Sequence, residues 1–68
     1  MTVIVVNGSE RSVRDGSTVT DLVELMELPT ARGVAVARNG DVVSRSRWDT
    51  TEIEPGDRIE VLHAVQGG

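Results

Sequence analysis

Two Asn-Gly pairs, Asn7-Gly8 and Asn39-Gly40, constrain this chain more than any other feature of its sequence. A two-residue hairpin loop of type I′ needs positive φ at both central positions, which asparagine tolerates and glycine adopts freely. Each pair follows a β-branched or small apolar run, Val-Ile-Val-Val at 3–6 and Val-Ala-Val-Ala-Arg at 34–38. The expectation is two hairpins, with strands at 3–6 and 9–13 and at 34–38 and 41–43.

Between the hairpins lies one helix signal. Asp15-Gly16-Ser17 reads as a turn, and Thr18 with Asp21 three residues later resembles a capping box, so a helix should begin near Val19. Val19, Leu22, Val23 and Met26 then fall at i, i+3, i+4 and i+7, an apolar stripe with Asp21, Glu24 and Glu27 facing away. Pro29 is expected to end this helix, and residues 30–33 to form a loop.

Residues 44–54 are polar apart from Trp48 and Ile53 and show no sustained period, so they read as irregular with room for one helical turn. Pro55-Gly56-Asp57 is a turn, and residues 58–63 alternate as a half-buried strand, Ile59 and Val61 on one side, Glu60 and Leu62 on the other. The order is hairpin, helix, hairpin, last strand. One amphipathic helix can bury its stripe only against one face of a single sheet. This is an α+β, β-grasp arrangement: a single mixed sheet packed on one helix, its first and last strands parallel at the centre and joined by the crossover such a pairing requires.

Alternation also sorts the sheet's two faces. If Ile4, Val6, Val34, Val36, Ile59 and Val61 meet the helix, then Val3, Val5, Ala35, Ala37 and Leu62 form an apolar patch on the face that no helix covers. Such patches on small proteins commonly mark binding surfaces, so these five residues are the candidate partner-binding set.

Composition removes most chemistry. There is no cysteine and a single histidine, too few for a zinc site, and no pairing of nucleophile with base or phosphate-binding loop is visible. The net charge of −4 speaks against nucleic acid, whose binding needs clustered Lys and Arg. No apolar stretch approaches a membrane span, and residues 1–7 lack the pattern of a signal peptide, so a cytoplasmic protein without membrane contact, taken as a monomer, is expected. The individual polar candidates have bland readings: His63 for strand packing or tail orientation, Trp48 as a packed edge residue with its N–H bonded, Arg45 and Arg47 as solvated, Asp57 as a turn residue.

The remaining feature is the end of the sequence, Ala64-Val65-Gln66-Gly67-Gly68. Two terminal residues without side chains can pass through a narrow channel, and at average glycine usage a frayed end would finish in Gly-Gly by chance only about 0.5% of the time. Residues 1–63 are thus expected to form the domain and residues 64–68 a flexible tail.

The elements taken together resemble a known family. Asn7-Gly8, the capped helix, Asn39-Gly40, the run Ser44-Arg45-Ser46-Arg47-Trp48, Gly56-Asp57-Arg58-Ile59-Glu60 and the run from His63 through Gly68 stand in the order and spacing of the ubiquitin-like sulfur carriers of thiamin biosynthesis. Ser44 departs from that pattern where proline is frequent, and Gln66 where a small residue is common. The resemblance implies that the protein is no enzyme but a cosubstrate, with no bound cofactor or metal. Its Gly68 carboxylate would be adenylated with ATP by a ubiquitin-activating-like adenylyltransferase, converted to a thiocarboxylate with sulfur supplied indirectly by a cysteine desulfurase, and used by thiazole synthase, with Ala64, Val65, Gln66 and Gly67 inserting into the enzymes' channels. The alternatives are the small subunit of molybdopterin synthase, which shares the fold and the Gly-Gly end, and a ubiquitin-like module that binds without covalent chemistry.

Overall fold

The computed structural model describes residues 1–28 and 32–63. Strands β1 (Thr2–Val6) and β2 (Ser9–Val13) form the first hairpin, α1 (Val19–Leu25) follows, and β3 (Val34–Arg38) with β4 (Asp41–Val43) forms the second. A 3₁₀ turn at Arg45–Arg47 and the last strand, β5 (Arg58–His63), complete the order. Both hairpins form as the Asn-Gly pairs require: φ is 51° and 84° at Asn7 and Gly8, and 52° and 89° at Asn39 and Gly40. The loops close Val6 onto Ser9 and Arg38 onto Asp41.

The five strands make one sheet in the order β2-β1-β5-β3-β4. β1 and β5 run parallel at its centre, Val5 beside Arg58 and Val6 beside Ile59, while the other pairs are antiparallel. β5, the strand that leads into residues 64–68, therefore lies between two neighbours.

The core lies between one sheet face and the helix. Ile4, Val6, Val36, Ile59 and Val61 of the sheet are buried with Val19, Leu22 and Val23 of the helix, and Val13, Trp48 and Ile53 belong to the same cluster. Each such side chain contributes about 1.5–3 kcal/mol when taken from water. Val34 and Met26 are only partly buried against this cluster. The Thr18–Asp21 capping box is present in both directions. The helix ends about one turn before Pro29, because Glu27 takes a left-handed φ of 54° and Met26 serves as the C-cap instead of lying in the last turn.

Residues 44–54 do more than link β4 to β5. The first amides of a helix have no partner within it. Here the N–H of Val19 donates to the carbonyl of Thr51 at 3.0 Å and that of Thr20 to the carbonyl of Trp48 at 3.2 Å. The Trp48 indole, buried as expected, donates to the Val43 carbonyl at 3.0 Å, and the Arg45 guanidinium lies 4.8 Å above its ring.

Candidate functional site

Gly68 and the four residues before it, Ala64, Val65, Gln66 and Gly67, lie outside the described residues, and so does the expected flexibility of that tail. What the structure places is the strand from which they continue and the face beside it.

β5 is fixed by two asparagines, one from each hairpin. At its start, the Asn39 side-chain carbonyl accepts the Arg58 N–H at 2.9 Å. Near its end, the Asn7 side chain takes both backbone groups of Val61: Oδ1 accepts its N–H at 2.9 Å, and Nδ2 donates to its carbonyl at 3.2 Å. Before β5, Asp57 is a buried carboxylate rather than a simple turn residue. Its Oδ2 accepts from Arg38 Nε at 2.7 Å and from the Glu54 N–H at 2.8 Å, and its Oδ1 from Asn39 Nδ2 at 3.0 Å. Burial pushes the Asp57 pKa up, but the Glu54 N–H, the hydrogen bonds from Arg38 and Asn39 and the Arg38 charge together hold it below the usual carboxylate range.

Among the described residues, no element covers the sheet face away from the helix. Val3 is 47% exposed and Leu62 67%, Ala35 is exposed, and Val5 and Ala37 are half-buried. Ala35 stands directly opposite Leu62 and Ala37 opposite Glu60, so the five candidate residues share one surface. Val42, 80% exposed and paired with Ala37, belongs to the same surface and was missed. The two-residue loop at Asn39-Gly40 sets the register of Ala37 with Val42, and that signal could have found it. Charged neighbours border the apolar residues: Glu10 and Arg58 flank Val5 on either side, and Glu60 follows along β5. A shallow depression lined by Val5, Gly8, Arg58, Ile59 and Glu60 marks the surface near the first hairpin. His63 is half-buried opposite Val34, and its place in the alternation puts it on the helix side with Ile59 and Val61.

Among the described residues no group of three or more His, Cys, Asp or Glu side chains is placed to hold a metal ion. No helix among them is long and apolar enough to cross a membrane.

A parallel β1–β5 pair inside a mixed five-stranded sheet, one helix on one face and a bare apolar opposite face define a ubiquitin-like β-grasp protein. The ThiS family model matches residues 4–68, and the chain belongs to that family. The crystal structure of the thiamine biosynthesis protein ThiS from Geobacter metallireducens superposes with a TM-score of 0.83 at 32% identity, covering 98% of this chain and 100% of that one. A solution structure of a thiamine biosynthesis protein from the same organism gives 0.82 at 32% identity, over 98% and 88% of the two chains. In sequence, the chain is 32% identical over 65 residues to thiazole synthase of Paramagnetospirillum magneticum, covering 96% of this chain and 20% of that protein. It is 40% identical over 63 residues to thiazole synthase of Magnetococcus marinus, covering 91% and 19%. The chain thus spans about a fifth of the length of these two relatives.

Proposed function

We propose that the protein is a sulfur carrier for thiazole formation in thiamin biosynthesis and that the Gly68 carboxylate is its reactive group. The observation that carries this reading is the ThiS family match through residue 68, on a fold whose central strand leads into the Gly-Gly pair. A free carboxylate is a poor electrophile. Attack of its oxygen on the α-phosphate of ATP, with pyrophosphate leaving, gives an acyl-adenylate, and a sulfur nucleophile then displaces AMP from the acyl carbon to leave a thiocarboxylate. The carrier supplies the carboxyl group, and a ubiquitin-activating-like adenylyltransferase supplies the catalysis, with sulfur drawn ultimately from a cysteine desulfurase.

Thiazole synthase is the proposed recipient. Proteins bearing that name contain a stretch similar to this chain within a longer polypeptide, which supports a working association of the two. Docking is assigned to the uncovered face formed by Val3, Val5, Ala35, Ala37, Val42 and Leu62, with residues 64–68 entering the enzyme.

Intact mass tests the reading. Incubation with the activating enzyme, ATP and sulfide should replace one oxygen of the chain by sulfur, and deletion of Gly67 and Gly68 should abolish the change. An unmodified mass with an enzyme competent on another carrier would defeat it and favour a module that binds without covalent chemistry. If the sulfur-loaded form turns over with molybdopterin synthase and not with thiazole synthase, the carrier stands and its recipient is reassigned.

A further inference from the structure

On the carrier reading, we infer that Asn7 is a positioning residue that fixes where the chain leaves the sheet, and so sets the length of tail presented to the activating enzyme. In a parallel pair each strand residue donates to one neighbour and accepts from another two positions on. The Asn7 N–H donates to the Ile59 carbonyl at 2.9 Å, so its own carbonyl would be next to accept the Val61 N–H. At φ 51° Asn7 has already turned into the hairpin, and the side-chain carbonyl accepts that N–H instead, while the amide nitrogen satisfies the Val61 carbonyl.

Both backbone groups of Val61 therefore point to the side where β1 has ended. Val61 is 6% exposed, and leaving its N–H and carbonyl without partners there is unfavourable. Without the Asn7 amide, the lateral pairing left at the end of β5 among the described residues is that with β3, through Ala35 opposite Leu62 and Val34 opposite His63. Detachment of the strand back to Val61 would add residues 61–63 to the five that follow. Those five reach at most about 18 Å when fully extended, and three more add roughly 10 Å of slack. The glycine pair would then be registered less often against a fixed active site, although the docking face is unchanged.

The hairpin itself does not need the asparagine side chain, because glycine adopts the same positive φ. Asn7→Gly therefore removes the clamp and keeps the turn. Asn7→Asp keeps the acceptor for the Val61 N–H and loses the donor to its carbonyl. Ile53→Val is the control, since it trims a buried core side chain and leaves the Asn7 amide and its two bonds to Val61 in place.

Two measurements test the inference. Amide hydrogen exchange at Val61 should speed up about two- to tenfold in Asn7→Gly, the scale of one net hydrogen bond, with a smaller change in Asn7→Asp and none confined to that site in Ile53→Val. Unchanged protection at Val61 in Asn7→Gly overturns the clamp whatever the reaction does. In the mass assay with the activating enzyme, ATP and sulfide, kcat for Asn7→Gly should fall about five- to tenfold with KM nearly unchanged, Asn7→Asp should lie between, and Ile53→Val should match wild type. Equal kcat for Asn7→Gly and a reactive wild type overturns the positioning role. A wild type that acquires no sulfur defeats the carrier reading itself and the positioning role with it.

Discussion

Arg38 Nε donates to Asp57 Oδ2 across 2.7 Å, tying the last residue of β3 to the turn that launches β5. The two sides of this pair are unequal: the Arg38 side chain is 30% exposed, the Asp57 side chain 7%. Asp57→Ala should destabilise the fold by about 2–3 kcal/mol, because the Glu54 N–H and Asn39 Nδ2 lose their acceptor together with Arg38. Arg38→Ala should cost about 1 kcal/mol, since Asp57 keeps two donors. Urea unfolding with an unchanged m-value checks the order, and an Arg38→Ala loss larger than that of Asp57→Ala would contradict it.

The same carboxylate makes stability depend on acid. Its pKa in the folded chain is below the unfolded value of about 3.9. As pH falls the unfolded chain takes the proton first, so the stabilisation is complete above the unfolded value and is lost as pH drops through the folded one. Asp15, held low by the Thr2 hydroxyl and the amino terminus, acts in the same direction at the surface. The Asp57 share is therefore the difference between wild type and Asp57→Asn. Urea midpoints from pH 7 to pH 2 should converge for the two proteins in acid, and parallel curves would rule Asp57 out as the source.

Features governed by local conformation were legible in the sequence. Asn-Gly sets its own φ angles, Thr18 and Asp21 are three residues apart, and alternation in 3–6, 34–38 and 58–63 fixes the faces, so the hairpins, the helix start, the sheet and its bare side followed directly. Side-chain contacts between residues distant in sequence were not legible. Asn7 reaches Val61 across 54 positions, and its turn preference gives no sign that the side chain also completes a strand pairing. Residues 44–54 lack a period because their carbonyls at Trp48 and Thr51 serve the helix rather than a strand ladder. The helix stops short of Pro29 because a proline marks only the latest possible end, and Glu27 turns left-handed before it.

The uncovered face should separate binding from folding. Leu62→Asp and Val42→Asp replace side chains 67% and 80% exposed, so each should change stability by less than about 0.5 kcal/mol. If thiazole synthase docks there, each should weaken the complex about tenfold or more in calorimetric titration, whereas Glu24→Ala on the outer side of the helix should not. Wild-type affinity in both sheet variants would move the docking site elsewhere.

Ser44 offers a gain of stability. Ser44 stands where the resemblance drawn from the sequence implies proline, and the backbone here already suits it: φ is −65° and ψ 150°, close to the angle the pyrrolidine ring imposes. Val43 before it ends β4, and the extended conformation is the one a residue preceding proline favours. The Ser44 side chain forms no cap on the 3₁₀ turn that follows, and its contact with the Ser46 hydroxyl is a long one of 3.4 Å at the surface. Ser44→Pro therefore removes freedom mainly from the unfolded chain and should stabilise the fold by about 0.4–1 kcal/mol. Thermal unfolding should show a midpoint several degrees higher, with the mass assay unaffected. A lower midpoint would mean that the Ser44 N–H makes a contact the fold depends on.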